Sequence, residues 1–204
     1  MKNTHAVRGR SPLDEILARL RHGVAYRKLE QFQPINSCLD IGSGNYPIFL
    51  IKLQAEGKHG LEKSVSPEVR EIAGQNQISM TEYDLESRTS LPFEGGSFEA
   101  VTMIAVIEHI QPENVSFILS EIYRILKEDG VLFVTTPAAW TDIILRTMAK
   151  LRIIAKEEID DHKDTFTRAK LREYFINAGF PTATTETGTF EFFMNLWIWS
   201  QKKS

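Results

Sequence analysis

The stretch Cys38-Leu39-Asp40-Ile41-Gly42-Ser43-Gly44-Asn45-Tyr46-Pro47 is a short apolar strand with an acid near its end, and it breaks into two glycines spaced G-x-G. Glycine is required at such a break on physical grounds. One position turns sharply, often at positive φ, and the other lets main-chain N–H groups approach a bound molecule with no Cβ between them. A dinucleotide fold calls for G-x-G-x-x-G, and here the third position is Pro47, so the usual close helix–sheet contact is missing. Asp40 stands two residues before the first glycine, where its carboxylate would meet a pyrophosphate unfavourably. Taken alone, the ten residues fit a nucleoside site and a structural turn alike, because short glycine motifs recur by chance.

Outward from this loop, strands alternate with helices. Apolar strand patterns occupy 37–41, 58–62, 78–83, 98–104 and 131–135, and helical periodicity covers 48–56, 67–73 and 112–126. Such alternation predicts a mainly parallel sheet with helices on both faces. Ahead of the loop, Ser11-Pro12 followed by Leu13, Ile16, Leu17 and Leu20 supplies an N-cap, a proline at N1 and apolar i, i+3, i+4, i+7 spacing, so a helix is predicted over 12–30. Beyond Pro137 the rhythm changes: 140–155 is apolar but studded with Arg146, Lys150 and Arg152, and a polar segment over 156–164 follows. Thr167 then caps a helix through Ala178 that Gly179 closes. Two β-rich stretches, 182–187 and 190–199, read as a hairpin joined through Gly188. A parallel sheet finishing in an antiparallel hairpin is more specific than a plain dinucleotide fold.

Bulk properties narrow the function classes. The 204 residues suit one domain of generous size, and 42% hydrophobic with 25% charged residues is ordinary for a globular protein. A net charge of −3 gives no general reason to expect nucleic acid as a partner. The single cysteine, Cys38, excludes an intramolecular disulfide and reads as a buried packing residue, so a cytoplasmic setting is expected. The opening residues carry no apolar signal-like core, and no run approaches the roughly 20 apolar residues of a membrane span. The first 28 residues are nevertheless basic, with Arg8, Arg10, Arg19, Arg21, Arg27 and two lysines against Asp14 and Glu15. They form either a solvated arm and amphipathic helix or a surface for an anionic substrate.

The loop gains meaning from its partners. Glu62 ends the second strand 18 residues after Gly44, where an acid can accept both hydroxyls of a ribose. The third strand runs into Asp84, which can accept from an exocyclic amine, and Leu85, which can cover an adenine face. The fourth ends in Ile104-Ala105 and leads into Glu108 and His109 at the carboxyl edge of the sheet, where open α/β sheets bind ligands. With these residues placed, the chain resembles the class I S-adenosylmethionine-dependent methyltransferases of the type 11 domain branch. The resemblance rests on Leu39-Asp-Ile-Gly-Ser-Gly44, Gly60-Leu-Glu62 followed by Ser66-Pro-Glu68, Tyr83-Asp84, Leu91-Pro-Phe93 through Phe98, Ile107-Glu-His109 and Arg124 through Pro137. It covers about residues 36–137 strongly.

The resemblance implies a Rossmann-like three-layer α/β sandwich whose seven-stranded, mainly parallel sheet runs 3-2-1-4-5-7-6 with the last strand antiparallel. It implies S-adenosylmethionine as cofactor, S-adenosylhomocysteine as product, and no metal. The cofactor set it points to is Asp40, Gly42, Ser43, Gly44, Glu62, Lys63, Asp84, Leu85, Ile104 and Ala105. Two departures stand out: Pro47 in place of a third glycine, and Lys63-Ser-Val65 inserted before Ser66-Pro67. The chain divides into a basic arm and capping helix over 1–33 and a single methyltransferase domain over 34–204, with an insertion or lid over 138–165.

Methyl transfer from a sulfonium is an in-line displacement, so the protein mainly positions donor and acceptor. A hydroxyl or protonated amine also needs a general base, for which His109 and His162 are the candidates. Glu108, His109, Trp140 and Asp161 are the candidate substrate-pocket residues. The expected partner is a small molecule, a hydroxylated metabolite, saccharide or lipid precursor, with no nucleic acid and no integral membrane association. A weak peripheral membrane contact of the basic apolar segment after Trp140 stays open, as does the oligomeric state. The rival functions are a non-catalytic S-adenosylmethionine-binding partner protein and a nicotinamide oxidoreductase, the latter opposed by Asp40 and the missing third glycine.

Overall fold

A computed structural model describes residues 12–87, 89–141, 164–191 and 193–203, with side chains from residue 18 onward. The described elements are α1 (Pro12–Glu30), β1 (Ser37–Ile41), α2 (Ile48–Lys52), β2 (Gly57–Glu62), α3 (Pro67–Gln75), β3 (Ile78–Glu82), β4 (Phe98–Ile104), α4 (Pro112–Ile125), β5 (Leu126–Pro137), α5 (Arg168–Asn177), β6 (Thr185–Phe190) and β7 (Asn195–Gln201). They build one seven-stranded sheet in the order β3-β2-β1-β4-β5-β7-β6. Strands β1 to β5 pair in parallel, while β7 runs antiparallel to both β5 and β6. The order and the reversed strand are those the sequence leads one to expect.

Side chains on successive strand residues point to opposite faces, and this period sorts the core into two layers. Leu39 and Ile41 of β1, Val101 and Met103 of β4, and Leu132 and Val134 of β5 pack with Ile118, Leu119 and Ile122 of α4 and Leu171 and Phe175 of α5. Cys38, Ala100, Val131 and Phe133 face the other way, onto Val24, Ala25 and Leu29 of α1 and Phe49 and Leu50 of α2. The helix starts are chemically specified. Ser66 Oγ accepts from Val69 N ahead of Pro67, Thr167 Oγ1 accepts from Lys170 N, and Gly179 at φ +103 follows the end of α5.

Four local expectations are corrected. The hairpin does not turn at Gly188: β6 continues through it, and the turn falls after Phe190, with Glu191 and Phe193 at positive φ. Gly188 is a packing glycine, because a Cβ there would lie 2.4–2.7 Å from the Trp197 ring across the ladder. The second helix ends at Lys52 rather than 56, since Leu53 turns extended and drops into the core. The fifth strand begins at Leu126 rather than 131; its polar Lys127-Glu-Asp-Gly130 start has Asp129 at positive φ and a register shift against β4, which hides the strand period. Leu20 of α1 is 47% exposed, and the buried stripe of that helix is Val24, Ala25 and Leu29 instead. The segment 142–163, most of the expected lid, lies outside the described residues.

Glycine chemistry gives a paired stability prediction. Gly188→Ala is expected to lower unfolding stability by about 1–3 kcal/mol through overpacking against Trp197. Gly74→Ala in α3, where a Cβ meets nothing within 4 Å, is expected to raise it by about 0.5–1 kcal/mol. Urea unfolding of the two variants checks this, and a neutral Gly188→Ala would remove the packing explanation.

Candidate active site

The carboxyl ends of β1, β2 and β4 meet around the glycine loop. Gly42 lies at φ +75 and donates its N–H to Leu61 O at 2.8 Å, and Gly44 lies at φ +71. A Cβ on Gly42 would stand 2.3 Å from Val106 Cγ2, so both backbone angle and space require glycine. Gly44 N–H donates to Glu62 Oε2 at 2.8 Å, tying the loop to the tip of β2, while Lys63 N–H donates to Oε1 at 3.2 Å. The close contact that Pro47 cannot provide is supplied by Gly60 in β2. A Cβ there would lie 2.8 Å from Ser43 Oγ and 2.5 Å from Met80 Sδ. Ser43 Oγ is buried and has no hydrogen-bond partner.

Asp40 is 4% exposed and accepts from Thr102 Oγ1 at 2.6 Å. Burial pushes its carboxyl up to about 7; the Thr102 bond pulls the other way, and the charge of Glu62 adds to the rise. At the tip of β4, Ala105 holds φ +57 and donates its N–H to Thr135 O at 3.0 Å and to Thr135 Oγ1 at 3.2 Å. A left-handed alanine fixed in this way marks a strained strand end at a candidate site.

These groups bound a cavity of about 230 Å³. Its wall includes Asp40, Gly42, Ser43, Gly44, Ile104 and Ala105, all expected from the sequence. It also includes Ala18, Arg21 and His22 of α1 and Tyr46, Ile48 and Phe49 around the start of α2, which sequence reasoning missed. The one available signal was the basic character of the first helix, but its apolar spacing pointed to the wrong stripe. Tyr26 supports this wall by stacking on Phe49 at 5.0 Å and donating its hydroxyl to Phe49 O at 2.9 Å.

A second group of expected residues lies at the neighbouring strand tips. Lys63 Nζ pairs with Asp84 Oδ2 at 2.9 Å, and Asp84 Oδ1 accepts from Glu86 N at 3.0 Å, so Asp84 also shapes the turn that Leu85 opens. Glu62, bonded to Gly44, connects this group to the cavity. Glu108 and His109 sit on a short 3-10 turn, Ile107–His109, and neither forms part of the cavity wall. Glu108 is 2% exposed, with Oε2 buried and unpartnered. Trp140 is half exposed and donates Nε1 to Phe193 O at 3.0 Å. Asp161 and His162 lie outside the described residues. Among the described residues no helix is long and apolar enough to cross a membrane.

The donor set fits a sulfonium amino-acid nucleoside. Two left-handed glycines bare the backbone, Gly60 clears space beneath the loop, the Asp40 carboxyl is buried at its edge, and the buried Ser43 hydroxyl has no partner. Sheet order and loop together define the class I S-adenosylmethionine-dependent methyltransferase fold. The chain belongs to the methyltransferase-domain family, whose profile matches residues 10–184. An S-adenosylmethionine-dependent methyltransferase of Thermotoga maritima, described as a possible histamine N-methyltransferase, is 24% identical with a TM-score of 0.63, over 94% of this chain and 96% of its own. A possible exported protein of Bordetella parapertussis is 14% identical with a TM-score of 0.69, over 98% of this chain and 77% of its own. An O-methyltransferase family protein of Burkholderia thailandensis is 13% identical with a TM-score of 0.68, over 92% of this chain and 57% of its own. At these identities the likeness is one of fold. No curated protein matches the sequence.

The buried acid gives a pH prediction. Folded Asp40 keeps its proton up to about 7, whereas the unfolded side chain releases it near 3.8. The ligand-free folded chain therefore binds more protons between those values, and its contribution to stability is lost as pH rises through about 7. Asp40→Asn cannot ionise and is expected to be more stable than the parent at pH 8, by about 2–4 kcal/mol, with the advantage vanishing toward pH 4. Denaturant unfolding across this range checks it; parallel pH curves for the two proteins would contradict the assignment.

Proposed function

We propose that the protein transfers the methyl group of S-adenosylmethionine to a small hydroxylated acceptor, a metabolite, saccharide or lipid precursor. The observation that carries this reading is the cavity of about 230 Å³ at the glycine loop, walled by Asp40, the tip of β4 and α1. A space of that kind suits the amino-acid end of the cofactor and a compact acceptor rather than a polymer.

When bound, the cofactor supplies an electrophilic methyl group on a positively charged sulfur. The work of the chain is then positional and electrostatic. Asp40, brought to its carboxylate form beside a cation, favours the positive end; Glu62 offers acceptors to the ribose hydroxyls; Asp84 and Leu85 serve the base. Gly42, Ser43 and Gly44 hold the methionine end against the tip of β4, where Ile104 and Ala105 close the wall. A hydroxyl acceptor must lose a proton, and an imidazole near the carboxyl edge can take it. His22 stands on the cavity wall, and His109 lies on the turn that follows β4.

The test is release of S-adenosylhomocysteine from S-adenosylmethionine over a panel of phenols, sugars, alcohols and small amines such as histamine. Turnover on a hydroxylated member is expected, with His22→Ala or His109→Ala lowering kcat about 10²-fold. Binding of the cofactor without turnover on any member would favour the non-catalytic reading. Full turnover in both histidine variants would remove the general base.

A further inference from the structure

Seven side-chain nitrogen or oxygen atoms among the described residues are buried without a hydrogen-bond partner, and three of them belong to one group: Arg21 Nε, Glu191 Oε1 and Asn195 Oδ1. Asn195 opens β7 and is 4% exposed, on the sheet face of Trp197 and Trp199 that α1 covers. Its Nδ2 donates to Glu191 Oε2, which leaves Glu191 Oε1 and its own Oδ1 unsatisfied. Arg21, from α1, is near enough for its charge to act on the Glu191 carboxyl, yet neither Nε nor Oε1 has a bond. The acid and amide are fixed. Met194 N–H donates to Glu191 O at 3.0 Å, and Met194 O accepts from Ala138 N at 2.8 Å and from Thr141 Oγ1 at 2.7 Å. Glu191 itself holds φ +51, a strained angle of the kind that gathers at ligand sites.

Arg21 also belongs to the wall of the glycine-loop cavity. The group therefore borders that cavity from the β7–β6 end of the sheet, opposite the β2 and β3 tips that suit ribose and base. In-line transfer brings the acceptor to the sulfur from a side that the nucleoside leaves free. One N–H donor and two oxygen acceptors face this acceptor, and their opposite charges offset each other. A cationic group would meet Arg21, an anionic one Glu191, and an apolar one would leave all three atoms unsatisfied. Two adjacent neutral hydroxyls fit: the first accepts from Nε and donates to Oε1, and the second donates to Oδ1. A single ordered water would also join the three atoms, but it would select no acceptor.

We propose that Arg21, Glu191 and Asn195 form the acceptor subsite and select an acceptor carrying two adjacent neutral hydroxyls, as in a saccharide or a catechol. The inference rests on the reading that the neighbouring cavity takes S-adenosylmethionine, and it narrows the acceptor proposed above. No bond is made or broken at these side chains; they are positioning residues.

The test compares S-adenosylhomocysteine release with trans-1,2-cyclohexanediol against cyclohexanol, and with catechol against phenol, in the parent and in Glu191→Gln. The parent is expected to favour the diol of one pair by about ten- to a hundredfold in kcat/KM, and the pair that shows the preference tells a saccharide-like acceptor from a catechol. Glu191→Gln, which puts a donor where Oε1 accepts, should raise KM for that diol about tenfold or more, with kcat and the KM of the monohydroxy compound held. Calorimetric titration with S-adenosylhomocysteine should give the parent's affinity, which shows the variant folded. If it does not, Arg21→Lys, which keeps the charge and loses Nε, takes its place with the same expectation for the diol's KM. Equal use of diol and monohydroxy compound by the parent would overturn the assignment. So would a variant with a lower melting temperature and unchanged KM values, since the three atoms would then hold only water. A parent that binds S-adenosylhomocysteine and turns over neither diol would overturn the subsite and leave the cofactor reading standing; a parent that does not bind S-adenosylhomocysteine would sink the methyltransferase reading itself.

Discussion

The hydrogen bond from Gly44 N–H to Glu62 Oε2, 2.8 Å long, is the constraint around which the site is arranged. It fixes the loop leaving β1 to the tip of β2, and it forms only because Gly42 and Gly44 hold left-handed backbone angles that side chains rarely adopt. Gly60 lets Ser43 settle on β2, and the absence of a Cβ at Gly42 admits Val106 from the far side of the loop. Parallel pairing of β1 with both β2 and β4 then brings the acid, the loop and the tip of β4 to one edge. Strand order chooses the edge; glycines choose the shape of what is presented there.

Electrostatics complete the arrangement. Asp40 is buried beside Glu62 and bonded to Thr102, and it keeps its proton to about 7. Near neutral pH it is poised between forms, and a cationic group entering the cavity draws it to the carboxylate. Arg21 stands on the same wall from α1, and its charge is felt by Glu191 on the turn between β6 and β7. The acid buried at the loop favours a ligand with a positive end, which a pyrophosphate lacks.

Most of the sheet was legible in the sequence because buried parallel strands read as short apolar runs between capped helices. The strands themselves and the placing of Asp40, Gly42 and Gly44 at a strand end follow from that reading, while the strand order came from the family resemblance. What escaped depends on packing between distant segments. Gly188 looked like a turn because nothing in the local sequence reveals the Trp197 ring lying over it. The start of β5 was hidden by Lys127-Glu-Asp-Gly130, whose polar side chains mask a strand held by its β4 and β7 partners. Arg21 was read only as one of a basic stretch and His22 was not singled out, because their place on the cavity wall comes from the placement of α1 over the loop, and that helix presents Leu20 outward, against its apolar spacing. Gly60 was quoted only as part of the Gly60-Leu-Glu62 run that ends on the ribose acid, yet it supplies the close approach that seemed to be missing at Pro47.

The central claim is that the Gly42–Gly44 loop, bonded to Glu62, cradles the amino-acid end of an S-adenosyl nucleoside. A crystal structure with S-adenosylhomocysteine bound tests it most directly. The account predicts the sulfur inside the cavity bounded by Gly42, Gly44, Ile104 and Ala105, with the ribose hydroxyls on the Glu62 carboxylate. A nucleoside bound with its ribose away from Glu62, or with its amino-acid end outside that cavity, would contradict it.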